Sequence, residues 1–382
     1  MRKILLFYFC ELGGLGGVEV AVRLLAEAFT KRGRSSGIVE LASQWRPRRL
    51  LPPGIPVWGV SAPSYTTIRR PRSWASFLRS SWQFTRVIRE FAPDIVHVHY
   101  PLSQALPVIG AQAIPHRWRL VVTVHNSDIR VSPFQEPRIR PWQARLFERA
   151  DAVTAVSESL LSDATQLYPC IRDKGHVIYN GVGFSWFHQP EADSSAQGKY
   201  VLFVGRLNEV KGVDILLQAW KQMCSRFPAV QLWFAGEGPE LDKLQAFARE
   251  SGILSSVRFI GRVNQAELPA LYRKAEVVVL PSRREGLPFT LLEAGACGAI
   301  TIGTKIPGIP EVIQDGLTGL LVEPESPDAL ASAISRILEM PSEQKFCMKE
   351  AAYKKVKQDF SEEKMISSYF EVFDSLAAMP EK

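Results

Sequence analysis

Short apolar runs rich in β-branched residues alternate with helix-like patterns along the whole chain, and this alternation restricts the fold more than any other feature. Parallel strands need a crossover connection between them, which is usually a helix, so the pattern predicts βαβ units. We therefore expect an α/β fold built from doubly wound, Rossmann-like sheets. The predicted strands cover residues 4–9, 38–41, 57–60, 95–99, 120–124, 152–155, 177–179, 200–204, 231–235, 257–260, 277–280, 299–303 and 320–322.

A length of 382 residues is too great for one ordinary hydrophobic core, so we expect two domains. The stretch 189–198 is polar and unpatterned, as linkers are, which predicts a first domain at residues 1–190 and a second from residue 191. The two halves also share a pattern, since residues 149–157 resemble residues 274–282 in combining a helix end, a strand and a serine. Each serine would lie at the carboxyl edge of its strand, where doubly wound sheets bind ligands.

The cysteine and hydropathy patterns favour a cytoplasmic protein. The five cysteines are scattered, odd in number and without a C-x-x-C motif, which predicts reduced thiols and argues against a disulfide framework or a zinc site. The apolar run in residues 1–10 is short for a signal peptide and leads into a glycine-rich segment, so we interpret it as a first buried strand. No apolar run approaches the roughly 18 residues of a membrane span.

Residues 281–298 form the most informative stretch, in which an apolar run leads into a polar turn and the turn leads into a helix. Pro288 suits the first helical position, and the helix N-terminus behind it would attract anions. Glu285 precedes this helix and Glu293 lies in its second turn. Glu293 stands among apolar residues, and the vicinal hydroxyls of a ribose would satisfy its carboxylate. The alternative is a pair of solvated helix-cap glutamates.

Two cations follow the predicted strand at residues 200–204. Arg206 and Lys211 leave its carboxyl edge just before a predicted helix. Together they could hold a phosphate, Arg through two parallel hydrogen bonds and Lys as a point charge. The alternative is an exposed basic pair beside a glycine cap. Two further strand ends, at Gly236 and at residues 259–263, bring glycines to the same edge, where the backbone can approach a phosphate or a base.

The first half carries a glycine-rich loop and a histidine at strand ends. Residues 13–17, Gly-Gly-Leu-Gly-Gly, could present several N–H groups to a phosphate or a sugar, or could form a tight turn without a ligand. The loop does not match G-x-G-x-x-G, although Glu40 could act as the ribose-binding acid of an NAD protein. His125 ends the strand at residues 120–124, where its role could be chemical or structural.

His97 and His99 alternate along one strand, and only one of them is expected to face the sheet edge. No carboxylate or cysteine stands at ligand spacing from them. We therefore expect no metal site.

The Glu-x7-Glu spacing around Gly-Leu-Pro resembles the donor-site signature of the retaining nucleotide-sugar glycosyltransferases of family 4, which have the GT-B fold. Residues 203–212 and the Gly-Gly-Val-Glu run at residues 16–19 are also similar to that family. The resemblance covers nearly the whole chain. It implies two Rossmann-like domains that face each other across a cleft, with the donor in the second domain at residues 191–360. It also implies a closing helix, residues 361–382, that packs on the first domain.

The same resemblance implies roles for individual residues. Arg206 and Lys211 would clamp the diphosphate of the donor. His125 and Glu285 would contact the transferred sugar, which completes the predicted catalytic set of four. Glu293 would bind the nucleotide ribose. The predicted donor-binding residues are Gly16, Gly17, Arg206, Lys211, Gly236, Arg262, Val263, Glu285, Gly286, Leu287, Phe289, Thr290 and Glu293.

The reaction that the resemblance implies is transfer of a sugar from UDP or GDP to an acceptor hydroxyl, with the anomeric configuration kept. We expect no cofactor, because the nucleotide sugar is itself the donor substrate. The chain has no D-x-D motif with which a metal could neutralise the leaving diphosphate, so we predict metal-independent transfer. Three alternatives stay open: a nucleotide-sugar epimerase or phosphorylase on the same fold, an NAD-binding Rossmann protein, and a partner subunit without activity.

Basic residues are concentrated in the first half, where residues 1–190 carry 24 Lys and Arg against 13 Asp and Glu. Residues 46–89 contain nine arginines and no acid. Apolar residues near helical spacing in and beside this segment are Trp74, Phe77, Leu78, Trp82, Val87, Ile88 and Phe91. The combination favours an anionic membrane face or a lipid-linked glycan acceptor. It thus favours a peripheral position on the inner face of the membrane.

With such an acceptor, the chain would act in assembly of a cell-surface glycan such as lipopolysaccharide, exopolysaccharide or glycolipid. One alternative for the basic segment is an ordinary core helix with a solvated arginine face. Nucleic acid is not an expected partner, because no binding motif accompanies the charge.

Overall fold

The computed structural model describes residues 3–8, 17–61, 71–102, 105–111, 118–187 and 200–378, with the backbone alone at residues 71–74. The chain divides into two compact units. The first unit comprises Met1–Tyr179 and Met365–Lys382, and the second comprises Asn180–Lys364.

The predicted domain boundaries, after residues 190 and 360, differ from these divisions by 11 and 4 residues. The difference has a physical cause, because the segment from Asn180 onward is already bound into the second unit. Asn180 Nδ2 donates to the carbonyl oxygen of Leu287 at 3.1 Å, and Val182 forms a parallel bridge with Ser361.

One sheet forms the centre of the first unit. Its strands are β1 (Lys3–Tyr8), β2 (Ser35–Ala42), β3 (Arg46–Leu51), β4 (Ile55–Ser61), β5 (Ile95–His99), β6 (Arg119–Val124), β7 (Ala152–Ala155) and β8 (Gly175–Val177). They lie in the order β3-β4-β2-β1-β5-β6-β7-β8, and every neighbouring pair is parallel except β3 with β4. Apart from β3, this is a doubly wound sheet whose strand order reverses between β1 and β5.

The second unit has its own, fully parallel sheet. Its strands are β9 (Tyr200–Val204), β10 (Gln231–Ala235), β11 (Val257–Gly261), β12 (Val277–Leu280), β13 (Thr301–Thr304) and β14 (Leu320–Val322). The order β11-β10-β9-β12-β13-β14 is the Rossmann order, with the reversal between β9 and β12. The predicted α/β class with two Rossmann-like parts is confirmed.

Helices connect the strands in both units. The first unit contains α1 (Gly17–Lys31), α2 (Pro71–Phe91), α3 (Leu106–Ala111), α4 (Ser127–Arg130), α5 (Ser132–Gln135), α6 (Arg140–Arg149) and α7 (Glu158–Leu167). The second contains α8 (Val213–Met223), α9 (Leu241–Glu250), α10 (Leu268–Lys274), α11 (Phe289–Ala296), α12 (Ile309–Val312), α13 (Pro327–Glu339) and α14 (Ser342–Asp359). None of the helices in the described part of the chain is long and apolar enough to cross a membrane.

The last helix, α15 (Glu362–Ala378), completes the core of the first unit. Its buried side chains are Met365, Ile366, Tyr369, Val372, Phe373 and Leu376. The Phe373 ring packs edge-on against Phe29 of α1, with ring centroids 5.6 Å apart. Full burial of such a side chain contributes about 1.5–3 kcal/mol. The predicted closing helix is therefore confirmed.

The edge strand β3 is the one strand of the described residues that the sequence pattern did not predict. Its residues Arg46–Leu51 are mostly exposed and basic, so they show neither an apolar run nor alternation. Charged side chains of this kind protect a sheet edge from pairing with another chain. The predicted strand at 177–179 is shifted, since β8 ends at Val177.

Candidate functional site

The second unit brings two turns together where its strand order reverses. Arg206 and Lys211 follow β9, and the turn that begins at Pro281 follows β12. Gly212 has a φ of +63°, and a Cβ atom there would lie 2.0 Å from the carbonyl oxygen of Pro281. Only glycine permits this backbone approach, which holds the two turns in direct contact.

A short charged hydrogen bond joins the two turns. Lys211 Nζ donates to Glu285 Oε1 at 2.6 Å, and Ser282 Oγ donates to the same oxygen at 2.6 Å. The Glu285 side chain is 8% exposed and the Lys211 side chain 26% exposed. Asn208 Oδ1 accepts from the backbone N–H of Lys211 at 3.1 Å. A predicted cation and a predicted acid thus lie in contact, and the cation retains surface that a ligand could reach.

Arg283 links the same two turns through a second set of contacts. Its guanidinium donates to both carboxylate oxygens of Asp214, at 2.7 and 2.8 Å, and it also pairs with Glu325. Its backbone N–H donates to the carbonyl oxygen of Val210 at 2.8 Å. The hydrogen bonds to Asp214 raise the pKa of the Arg283 guanidinium further above its usual value. The residues around Lys211 are therefore held by side chains outside the predicted set.

The helix α11 begins at Phe289, so Pro288 precedes the helix and does not occupy its first position as predicted. The Pro288 backbone is extended, with ψ at 118°, so this residue is the N-cap of the helix and lies outside its first turn. Thr290 Oγ1 donates to the carbonyl oxygen of Val204, the last residue of β9, at 3.2 Å. The N-terminus of α11 consequently lies beside the carboxyl end of β9. Of the predicted donor residues here, Gly286 and Leu287 are buried, and Phe289 and Thr290 are half-buried.

Gly236 lies next to the end of β9 by a second close backbone approach. Its φ is +145°, and a Cβ atom would lie 1.9 Å from the carbonyl oxygen of Gly205. Its N–H donates to the carbonyl oxygen of Gly261 at 2.7 Å. Beyond Gly261, Arg262 is exposed and Val263 is half-buried. The three strands β9, β10 and β11 thus end side by side, with a predicted residue at each end.

Glu293 has a partner that the sequence analysis did not predict. The Tyr272 hydroxyl of α10 donates to Glu293 Oε2 at 2.7 Å, and Tyr272 is fully buried. Glu293 is half-buried and retains some exposed surface. Burial raises the pKa of this carboxyl to about 7, and the hydrogen bond from Tyr272 opposes that rise. The bond occupies one carboxylate oxygen and leaves the other without a contact from Tyr272.

In the first unit, His125 follows β6 and is fixed by contacts on two sides. Asp128 accepts from the backbone N–H of His125 at 3.1 Å and from that of Asn126 at 2.7 Å. His99 Nδ1 lies 3.1 Å from His125 Nε2. Burial raises the pKa of the Asp128 carboxyl to about 6, and it lowers the pKa of His125 to about 3. His125 is therefore neutral at physiological pH.

Of His97 and His99, only His99, the last residue of β5, lies at the sheet edge beside His125, as predicted. Residues two apart in a strand point to the same face, and the two rings pack together with centroids 4.1 Å apart. His99 contacts His125, whereas His97 Nε2 lies 2.6 Å from Thr123 Oγ1 in the core. Within the described residues, no group of three or more His, Cys, Asp or Glu is arranged to hold a metal ion.

The remaining predicted residues concern the start of the chain. Gly16 lies outside the described residues, together with most of the glycine-rich loop, and Gly17 is the first residue of α1. Glu40, the acid of the NAD alternative, is fully buried. Arg49 donates to both of its carboxylate oxygens at 3.0 Å, and Arg46 lies 3.8 Å away. A carboxylate engaged by two arginines of its own sheet is poorly placed to receive a ribose.

Several residues of the site carried little or no signal in the sequence. Asp128 lies in the first turn of α4, where acidic residues are favoured, and it could have been sought on that ground. Arg283 and Tyr272 act on partners 69 and 21 residues away, so only the fold brings them into place.

Two family models match the chain in adjoining ranges. The model described as "Glycosyltransferase Family 4" matches residues 15–185. The model described as "Glycosyl transferases group 1" matches residues 185–355. Between them they span His125, Lys211, Glu285 and Glu293.

Proteins of similar length match over nearly the whole chain. The D-inositol 3-phosphate glycosyltransferase of Corynebacterium urealyticum is 28% identical, over 97% of this chain and 93% of its own. Sucrose-phosphate synthase from Thermosynechococcus elongatus has a TM-score of 0.81 at 21% identity, covering 99% of this chain and 100% of that one. Anabaena Alr3699/HepE, solved in complex with UDP-glucose, has a TM-score of 0.79 at 20% identity, covering 99% and 100%. At these identities the structural matches show only that the chain shares the fold of those proteins.

The variant Glu293→Gln tests the raised pKa of this carboxyl. The carboxyl titrates near pH 7 in the folded chain and near 4.5 when unfolded, so the folded state binds more protons between these values. The wild-type free energy of unfolding therefore contains a contribution that falls as the pH rises through this window. The variant lacks it, and its stability relative to wild type should increase by about 1–3 kcal/mol between about pH 5 and pH 8.

Denaturant titrations at several pH values measure this difference. Tyr272→Phe removes the hydrogen bond that stabilises the ionised carboxylate of Glu293. In this variant the free energy of unfolding should therefore fall at a higher pH than in the wild type. A relative stability of Glu293→Gln that does not change with pH would contradict the assignment.

Proposed function

Because this chain belongs to the family 4 glycosyltransferases and has their GT-B fold, we propose that it transfers a sugar from a nucleoside diphosphate to an acceptor hydroxyl with retention of the anomeric configuration. The resemblance that the sequence motifs carry is confirmed for the family and the fold. The activity as a glycosyltransferase follows from the family. The donor, the stereochemical course and the residue roles are the proposal.

The observation that carries this proposal is the contact between Lys211 and Glu285. The ammonium and the carboxylate neutralise each other across two turns, and both lie at the strand-order reversal of the second sheet. A donor sugar nucleotide offers each of them a better partner. Its diphosphate would draw the ammonium of Lys211, and the hydroxyls of the sugar would donate to the carboxylate of Glu285.

Charge develops on the diphosphate as the bond to the sugar breaks, and the proposed catalytic task is to stabilise it. Lys211, the exposed Arg206 and the N-terminus of α11 would together supply positive potential to the diphosphate. Preorganised charges of this kind cost no reorganisation during the reaction. They would replace the metal ion that other transferases use, and transfer would proceed unchanged in the presence of a chelator.

Other predicted residues would position the substrate. Glu285, His125 and the glycine-rich loop would orient the sugar, which is a task of alignment. Glu293 would accept from a ribose hydroxyl through the carboxylate oxygen that Tyr272 does not engage. The backbone around Gly236 and the side chains of Arg262 and Val263 would border the nucleotide. Gly286, Leu287, Phe289 and Thr290 would supply the backbone beside the phosphates.

Retention follows if the leaving diphosphate accepts the proton of the incoming acceptor hydroxyl on the same face of the sugar. This course needs no covalent intermediate with a protein carboxylate. An inverted product, seen in the anomeric signals of its NMR spectrum, would rule it out. We propose UDP as the nucleotide, because Anabaena Alr3699/HepE was solved with UDP-glucose. GDP and ADP are tested alongside it.

The acceptor we propose is a lipid-linked glycan at the inner face of a membrane, which would give the enzyme a role in cell-surface glycan assembly. The support is one face of α2. Leu78 and Trp82, one helical turn apart, are each 63% exposed. Arg79, Arg86 and Arg89 on the same helix are also exposed. Apolar side chains flanked by arginines suit the headgroup region of an anionic bilayer.

The rest of α2 explains why the sequence pattern was ambiguous. Phe84, Val87 and Ile88 are buried in the core, as the alternative of an ordinary core helix requires. The exposed side chains of Leu78 and Trp82 lie outside the face of α2 that packs on the core. Their replacement should therefore not disturb the core.

The double variant Leu78→Ser/Trp82→Ser tests the membrane proposal. Wild-type protein should sediment with vesicles that contain phosphatidylglycerol and should stay in solution with pure phosphatidylcholine. The double variant should bind the anionic vesicles about tenfold or more weakly, because it loses two apolar side chains from the interface. Phe346→Ser, at a residue of α14 that is 61% exposed, is the control and should bind as wild type does. Equal binding by both variants would contradict the proposal.

The variant Lys211→Gln tests the donor site. UDP or a UDP-sugar should raise the thermal midpoint of the wild-type protein, since binding stabilises the folded state. In the variant this shift should be lost, and sugar transfer should fall by about 100-fold because a charge that stabilises the leaving group is absent. Lys305→Gln is the matched control, since Lys305 pairs with Glu323 in the same unit at 3.0 Å. It should retain both properties.

Two results would contradict the donor-site proposal. One is equal behaviour of the two lysine variants. The other is stabilisation of the wild type by a nicotinamide dinucleotide, with none from UDP, GDP or ADP, which would favour the NAD alternative. Turnover of the donor without any acceptor would indicate an epimerase, and dependence on inorganic phosphate would indicate a phosphorylase.

A further inference from the structure

We infer that His99 is a positioning residue for His125, and that it determines which ring nitrogen of His125 carries the proton. The inference deepens the proposed function, on which it rests, because there His125 contacts the transferred sugar. It assigns to His125 the role of a hydrogen-bond donor and excludes that of a general base.

The rings of His99 and His125 are in contact. His99 Nδ1 and His125 Nε2 lie 3.1 Å apart, and the ring planes are inclined by 34°. Both residues are buried, with exposures of 1% and 7%. Burial lowers the pKa of both imidazoles, so each ring is neutral and carries one N–H. In the pair, one nitrogen therefore donates and the other accepts.

The surroundings of His99 Nε2 determine the direction of this hydrogen bond. The other nitrogen of His99, Nε2, is buried and has no hydrogen-bonding partner among the described residues. A proton on Nε2 would be a buried N–H without an acceptor, which is rarer in folded proteins than an unused lone pair. The proton of His99 therefore resides on Nδ1 and is donated to His125 Nε2.

A second histidine shows the same arrangement and holds His99 in place. His97 Nδ1 is also buried without a partner in the described residues, while its Nε2 lies 2.6 Å from Thr123 Oγ1. The same reasoning gives donation from His97 Nε2 to Thr123, whose hydroxyl also contacts Thr154 Oγ1 at 2.6 Å. The His97 ring packs against His99 with centroids 4.1 Å apart. The orientation of His99 is thus supported from the core of the first unit.

The hydrogen bond from His99 fixes the tautomer of His125. Its Nε2 accepts from His99, so its own proton is on Nδ1, the nitrogen that remains for a ligand. His125 can then donate a hydrogen bond to a sugar oxygen. It has no free lone pair on the ring with which to remove a proton from the acceptor. Asp128 completes the support, because its carboxylate holds the backbone N–H of His125.

Two substitutions at His99 separate its hydrogen bond from its volume. His99→Leu removes the donor and retains an apolar side chain of similar size. His99→Asn can place an amide N–H near the position of Nδ1 and should restore the bond. His176→Asn, at an exposed histidine of β8, is the control for the substitution itself. The readouts are nitrogen-15 spectra of protein with labelled histidines and the steady-state kinetics of sugar transfer.

The spectra test the inference in the free enzyme. The signals of His125, identified by their loss in His125→Asn, should show a protonated Nδ1 and an unprotonated Nε2 in the wild type. His99→Asn should keep this pattern, and His99→Leu should shift it towards protonated Nε2. In the kinetics, His99→Leu should lower kcat by about tenfold or more, with a smaller effect on the KM of the donor, because the sugar is misaligned. His99→Asn should recover most of the rate.

The outcomes distinguish this inference from the proposed function. A wild-type His125 with its proton on Nε2, or an unchanged pattern in His99→Leu, overturns the inference whatever the enzyme does. The predicted protonation pattern in a protein that transfers no sugar from any nucleotide leaves the inference about the free enzyme standing and removes the proposed function. A loss of rate in His99→Leu that His99→Asn does not restore, with the protonation pattern intact in both, would reduce His99 to a structural residue.

Discussion

The close approach of Gly212 to the carbonyl oxygen of Pro281 is the constraint on which the second-unit site depends. A reversal in strand order separates the chains that leave two neighbouring strands and opens a crevice between them. Here the absence of a side chain at Gly212 lets the two turns close on each other beside that crevice. The Lys211–Glu285 contact exists because of this closure. A partly desolvated ion pair contributes little net stability, so its presence needs a reason other than folding.

Each unit holds a predicted site residue whose pKa is shifted, His125 in the first unit and Glu293 in the second. In the first unit the imidazole of His125 is kept neutral, and in the second the carboxyl of Glu293 has a pKa near 7. Burial causes both pKa shifts. The hydrogen bonds of each group then determine which of its atoms is left to contact a ligand. Strongly shifted pKa values of this kind are concentrated at functional sites. His125 is therefore held neutral, whereas Glu293 can change its protonation state near neutral pH.

Much of the fold and part of the site could be predicted from the sequence. Parallel strands buried on both faces are continuous apolar runs, so all the central strands were found, whereas the basic edge strand Arg46–Leu51 was not. Arg206, Lys211, Glu285 and His125 could be singled out as candidates because each lies in the turn that follows a predicted strand. Tyr272, Arg283 and His99 could not be assigned, since their partners are distant in sequence and only the packed structure brings them together. Exposure of Leu78 and Trp82 also depends on which face of α2 the core selects.

The most direct test of the central claim is an experimental structure of the protein with UDP bound. The diphosphate should lie within about 3 Å of Lys211 Nζ, with the Lys211–Glu285 bond opened and a ribose hydroxyl on the carboxylate of Glu293. All three features lie within the second unit, so they can be read from it alone. A nucleotide bound elsewhere, with Lys211 still bonded to Glu285, would contradict the account.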